Sequence, residues 1–121
     1  MDSLIMERSY DMNRDRKTLV SIVVPCFNEE EVLPIYIHAM EKIIKEMKTA
    51  EVEIIFVDDG STDRTAEILG QFHKKRNSYR YLSVFAEFGK EAAMYAGMQA
   101  ARGEYVAVMD ADLRIRRNIF R

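Results

Sequence analysis

The 121-residue chain has little cysteine, histidine or proline: one cysteine (Cys26), two histidines (His38 and His73) and two prolines. One cysteine excludes an internal disulfide and suits a reducing compartment, so a cytoplasmic location is expected. The two histidines are not spaced as a metal pair. Without thiolate or imidazole pairs, zinc is disfavoured. No apolar run approaches the ~20 residues of a membrane span. A signal peptide is not expected either, because residues 1–18 carry Asp2, Glu7, Asp11 and Asp15 and lack an apolar stretch.

Basic charge is scarce where a nucleic-acid face would need it. The net charge is −2, but it is unevenly spread. Residues 1–18 are neutral, and 113–121 hold four arginines (Arg114, Arg116, Arg117, Arg121) and no acid. Residues 19–112 are left with 16 acids against 10 bases. An acidic body argues against nucleic-acid binding, and the basic tail is too short to reverse that.

What is present is an ordinary globular composition, 48% hydrophobic and 31% charged. A chain of this length buries a core without disulfides or structural metal. Residues 1–18 are polar and aperiodic and read as a flexible leader. From Leu19 the pattern alternates. Leu19 to Val24 is a β-branched run closed by Pro25, and reads as a buried strand. Glu29 to Lys48 reads as a helix with an apolar stripe of Leu33, Tyr36, Ile37, Met40, Ile43, Ile44 and Met47. Its early acids, Glu29 to Glu31, suit the N-terminus, and Pro34 lies near the first turn. Val52 to Val57 is a second strand. A helix follows over about 63–75, capped by Ser61 or Thr62, with Ala66, Leu69 and Phe72 or His73 inward. Arg80 to Phe85 is a third strand. Gly89 to Ala101 is a third helix, ended by Gly103 as a breaker. Glu104 to Met109 is a fourth strand.

Strands alternating with helices predict an α/β fold, a Rossmann-like parallel sheet with helices on both faces. Ligands of such sheets bind beyond the carboxyl ends of the strands. Those ends carry the unusual residues: Pro25-Cys26-Phe27-Asn28-Glu29, then Asp58-Asp59-Gly60-Ser61-Thr62-Asp63, then Phe88-Gly89-Lys90-Glu91, then Asp110-Ala111-Asp112. Several carboxylates and a lysine around one cleft call for a cation, since crowded carboxylates repel and are costly to desolvate. Oxygen-only ligands favour Mg²⁺ or Mn²⁺. A metal on one or two carboxylates keeps positions open for a diphosphate. Each piece also has a plain structural explanation: a turn and cap, a strand end, a solvated lysine. Asp-x-Asp alone is a weak signal. Their joint occurrence at four equivalent positions is the stronger one.

At these four segments the chain resembles the family 2 glycosyltransferases, inverting enzymes of GT-A fold that use nucleotide sugars. The resemblance covers residues 19–113, taken as a partial nucleotide-sugar-binding domain, with 114–121 as a basic tail. Phe88-Gly89-Lys90-Glu91-Ala92-Ala93 is similar to the polyprenyl-phosphate branch, which includes bactoprenol glucosyltransferases and dolichol-phosphate mannosyltransferases. The resemblance implies that Pro25, Phe27 and Glu29 line the base and ribose pocket and that Asp59, with Asp58 beside it, contacts the nucleoside. It implies Lys90 near the diphosphate, Asp110 beside ribose and diphosphate, and Asp112, with Asp110, as metal ligands. The implied donor is a UDP- or GDP-sugar and the implied acceptor a lipid phosphate, at the cytoplasmic face of a membrane for full-length members. Two departures stand out. Glu87 occupies a position commonly Asn, and Asp112-Leu113 is followed by Arg114 where Gln is usual. The acceptor half and any catalytic base are missing, so the chain is expected to be truncated, inactive alone and able to self-associate through uncovered surface. A nucleotidyltransferase is the alternative enzyme, disfavoured because Pro25 to Glu31 has no glycine- and base-rich loop. A non-catalytic fold fragment or interaction module is the alternative outside enzymes.

Overall fold

The structure, a computed structural model, describes residues 17–84 and 89–114. Residues 1–16 of the expected leader (1–18), Phe85 of the expected third strand, the departure at Glu87, Phe88 and residues 115–121 of the expected tail (114–121) lie outside the described residues. Four strands alternate with three helices: β1 (Thr18–Cys26), α1 (Leu33–Glu46), β2 (Ala50–Asp59), α2 (Thr65–Lys75), β3 (Tyr79–Val84), α3 (Gly89–Ala100) and β4 (Tyr105–Val108). The strands form one sheet in the order β3-β2-β1-β4, with every pair parallel. The expected α/β architecture is therefore observed.

Alternation along β2 explains the two layers. Successive side chains of a strand point to opposite faces. Ile54 and Phe56 join one core, with Leu33, Tyr36, Ile37 and Met40 of α1 and Leu69 of α2. Ile55 and Val57 join the other, with Val23, Val108 and Ala93 and Met94 of α3. Burial on both faces is why Val52 to Val57 is an unbroken apolar run apart from Glu53. Tyr36 and Phe56 meet edge to face at 6.0 Å between ring centroids. On the opposite face Gly97 brings α3 against the sheet. A Cβ there would collide with Val23 Cγ1 and lie 3.0 Å from Val57 Cγ2.

Several expected details differ. Helix α1 starts at Leu33, because residues 29–32 form a turn in which Val32 and Leu33 N–H both donate to Glu29 O. The acids Glu29 to Glu31 thus precede the helix, whose first turn holds none. Ile43 of the expected stripe is 48% exposed. In α2 the inward residues are Thr65, Ile68, Leu69 and Phe72, and Ala66 is exposed. Neither Ser61 nor Thr62 caps that helix. Asp63 Oδ1 takes the Thr65 N–H at 2.9 Å, and Glu30 Oε1 takes the Arg64 N–H at 3.1 Å. Gly103 is not a left-handed helix stop. It allows close approach to β1, since a Cβ there would lie 2.6 Å from Ser21 Oγ and 2.8 Å from Leu19 O.

The amino end of the sheet carries a buried polar network. Glu53, 5% exposed, accepts from Ser21 Oγ at 2.6 Å, from Arg102 N–H at 2.8 Å and from Arg80 Nη1 at 2.9 Å. Gly103 N–H donates to Ser21 Oγ at 2.8 Å, and Arg80 also donates to Ala100 O at 2.9 Å. Burial pushes the Glu53 carboxyl up, but the bonds from Ser21, Arg102 and Arg80 outweigh it and hold the group below its ordinary range. The network ties the end of α3 to three strands and so positions β4 beside β1.

Candidate functional site

The parallel sheet brings the ends of β1, β2 and β4 to one edge. Pro25 is buried in β1 opposite Val57. Val23 O accepts the Met109 N–H at 2.9 Å, so the odd-numbered residues of β1 turn their backbone groups toward β4. Pro25, two residues further on, turns its missing donor beyond the last residue of β4. A central strand tolerates proline only where no ladder bond is lost.

The loops after β1 and β2 are bound to each other. Asn28, in the left-handed region at φ 52°, is the hub. Its Oδ1 accepts the Thr62 N–H at 2.8 Å and the Asp63 N–H at 3.3 Å, while its own N–H donates to Ser61 Oγ at 2.8 Å. Glu29 N–H donates to Thr65 Oγ1 at 2.8 Å, and Glu30 N–H to Asp63 Oδ2 at 3.3 Å. Asp58, 5% exposed, accepts the Ser61 N–H at 3.0 Å across a turn in which Gly60 has φ 75°. Asp58 therefore holds the turn and is not among the residues lining the cleft. The sequence offered one signal for Asn28: asparagine tolerates the left-handed region better than most residues.

Pro25, Cys26, Phe27, Glu29, Asp59 and Lys90 line a cleft of about 370 Å³. Phe27 is 53% exposed and offers a ring to it rather than joining the core. Asp59 Oδ1 is buried with no hydrogen-bond partner among the described residues. A buried acceptor left open is costly and fits a ligand donor. Cys26 is 1% exposed, and burial, then Glu29 and Asp58, push its thiol far above the ordinary range. It is a packed side chain and not a nucleophile.

A second, smaller hollow of about 140 Å³ adjoins the first and shares Pro25, Glu29 and Lys90 with it. Val32, Asp110, Ala111, Asp112 and Arg114 complete its walls. Ala111 is buried in the α1 core, which leaves its acidic neighbours outward, with side chains 20% and 52% exposed for Asp110 and Asp112. Lys90 Nζ lies 3.7 Å from Asp110 Oδ1. Burial raises the Glu29 carboxyl above its ordinary range; Lys90 opposes this, while Asp112, Asp110 and Asp63 add to it. Among the described residues no group of three or more His, Cys, Asp or Glu side chains forms a metal cage. The donor set nevertheless fits a divalent cation of the Mg²⁺ kind, which takes one or two carboxylates and leaves its other positions to water and phosphate.

Residues 21–119 match the sequence profile described as "Glycosyl transferase family 2". The chain belongs to this family. It is 40% identical over 95 residues to the prophage bactoprenol glucosyl transferase homolog of Escherichia coli (strain K12), a match covering 78% of the chain and 31% of that protein. It is 41% identical over 98 residues to the undecaprenyl-phosphate 4-deoxy-4-formamido-L-arabinose transferase of Pseudomonas aeruginosa (strain LESB58), covering 79% of the chain and 28% of that protein. Among solved structures, S. aureus TarS 1-349 in complex with UDP-GlcNAc superposes with a TM-score of 0.61 at 29% identity, over 80% of the chain and 27% of TarS 1-349. The family 2 chain described here thus spans about a third of the length of the curated relatives it matches. No described helix is long and apolar enough to cross a membrane.

Proposed function

We propose that this chain supplies the nucleotide-sugar site of an inverting glycosyltransferase whose acceptor is a polyprenyl phosphate. The observation that carries the reading is the juxtaposition of the two hollows. An apolar and aromatic cleft with the open acceptor Asp59 Oδ1 runs into a charged one holding Lys90, Asp110 and Asp112. A nucleoside diphosphate has that polarity: a flat base and ribose at one end, two phosphates at the other.

In this reading Phe27 packs against the base, and Asp59 accepts from a base or ribose donor. Glu29 and Asp110 border the ribose, and Asp58 keeps the Asp59 turn in place. Lys90 holds the diphosphate and stabilises the charge that grows on it as the sugar leaves. Asp112 and Asp110 would hold Mg²⁺ or Mn²⁺, which supplies further neutralisation of that charge when bound. The acceptor oxygen attacks the anomeric carbon on the face opposite the diphosphate. The bond to the diphosphate oxygen breaks, its electron pair leaves with the diphosphate, and the configuration inverts. A lipid phosphate is largely ionised near neutral pH, its second pKa being about 6, so it attacks without a strong protein base. The names of the two curated relatives, which refer to bactoprenol and undecaprenyl phosphate, support this acceptor class.

Calorimetry with UDP and GDP in the presence of Mn²⁺ tests the donor site. One of the two should bind; Asp59→Ala should weaken it about tenfold, as expected for loss of a hydrogen bond to a charged group, and Asp112→Asn should weaken it by removing a carboxylate from the metal. Absence of binding by the unsubstituted chain at millimolar nucleotide overturns the reading.

A further inference from the structure

Arg114 is seated on the acidic pair Asp110 and Asp112. Its Nε donates to Asp112 Oδ2 at 2.8 Å, and its backbone N–H donates to Asp112 Oδ1 at 3.2 Å. Its Nη2 lies 3.8 Å from Asp110 Oδ2. Both oxygens of Asp112 are therefore engaged by one residue. The backbone holds the arrangement: Asp110 N–H donates to Arg114 O at 2.7 Å, and Leu113 N–H donates to Asp110 O at 2.9 Å. Leu113 adopts φ 75° to close this turn, a conformation unusual for a residue with a branched side chain.

The charges of the hollow nearly balance without any metal. Glu29, Asp110 and Asp112 face Lys90 and Arg114 across it. A divalent cation binding to Asp112 must first displace a guanidinium already seated on that carboxylate. It must then tolerate the displaced charge nearby, because the Arg114 backbone stays tied to Asp110.

We propose that Arg114 is an internal counter-ion that competes with the divalent cation for Asp112 and Asp110 and sets the metal affinity of this site. The inference rests on the reading of Asp112 and Asp110 as metal ligands. The Arg114 side chain is 77% exposed, so the competing ion pair is a surface one and its effect is moderate. In this pair the guanidinium meets Asp112 through Nε at 2.8 Å, a directed N–H that a lysine ammonium, a point charge on a flexible stem, does not reproduce.

The test is direct Mn²⁺ binding, followed by the electron paramagnetic resonance signal of the free ion, with no nucleotide present. Unsubstituted chain, Arg114→Gln, Arg114→Lys and Asp112→Asn are compared, each checked for an unchanged circular dichroism spectrum. Arg114→Gln should bind Mn²⁺ roughly fivefold more tightly than the unsubstituted chain. Arg114→Lys should fall between the two, and Asp112→Asn should bind more weakly than either. Equal or weaker Mn²⁺ binding by Arg114→Gln, with binding still dependent on Asp112, overturns the competition while leaving the metal site intact. Failure of both the unsubstituted chain and Arg114→Gln to bind Mn²⁺ overturns the metal reading, and the competition with it.

Discussion

The side-chain oxygen of Asn28 accepts the backbone N–H of Thr62 at 2.8 Å, joining two loops 34 residues apart in sequence. The same oxygen takes the Asp63 N–H, and the Asn28 N–H reaches Ser61. One side chain thus fixes how the Phe27 wall of the cleft stands against the Asp59 wall. Asn28→Ala removes these acceptor contacts and places a Cβ-bearing residue without them at φ 52°. A loss of about 1–2 kcal/mol is expected in urea unfolding. Asn28→Gly relieves the backbone term and should recover part of that stability while leaving nucleotide affinity low, which separates folding from positioning.

The Glu53 network gives the fold an acid-sensitive element. Its carboxyl is held below the ordinary value of 4.5 in the folded chain. The stabilisation is therefore fully present above the unfolded value and is lost as the pH falls through the lower folded value. Unfolding free energy should decline below about pH 4.5, and Glu53→Gln should flatten that decline. Glu53→Ala strands Arg80, Ser21 and the Arg102 N–H in a buried place, at a cost of about 3 kcal/mol. Chemical denaturation from pH 7 to pH 3 measures both effects.

Two helical glycines should respond in opposite ways to alanine. At Gly97 a Cβ would overlap Val23 Cγ1, so Gly97→Ala should destabilise by about 1–3 kcal/mol. At Gly70 the nearest atom is Tyr81 Oη at 3.6 Å, an ordinary contact. Gly70→Ala should stabilise by about 0.5–1 kcal/mol through helix propensity. Calorimetric melting temperatures that move in the same direction for both would remove this account of α3 packing.

The fold was legible because each strand is a short β-branched run and each helix repeats its apolar residues at helical spacing. Val52 to Val57 reads as a doubly buried strand, and the structure buries it on both faces. Helix ends were less legible. The start of α1 depends on Thr65 and Asp63, which take N–H groups of Glu29 and Glu30 from more than 30 residues away. Gly103 read as a helix stop because its neighbour Ser21 is distant in sequence and adjacent in space. The convergence of Pro25, Phe27, Glu29, Asp59 and Lys90 was legible, since parallel strands must end at one edge. The separate task of Asp58 and the grip of Arg114 on Asp112 were not. Both depend on which way a turn points a side chain, and composition carries no record of that.

The strand order has a consequence for how the charged hollow comes into being. Neighbouring β1 and β2 are joined through one helix, whereas Leu19 meets Glu104 across 85 residues. Closing so long a loop costs more entropy than the other pairings, so it is the slowest to be repaid by contacts. Among the described residues, strand β4 is four residues long and pairs with β1 alone. The acids at its end are therefore expected to come into place after the β1–β2 pairing and to separate before it under denaturant. Hydrogen exchange at Ala107 and Met109, whose N–H groups face β1, would then report the integrity of the diphosphate end of the cleft independently of the nucleoside end.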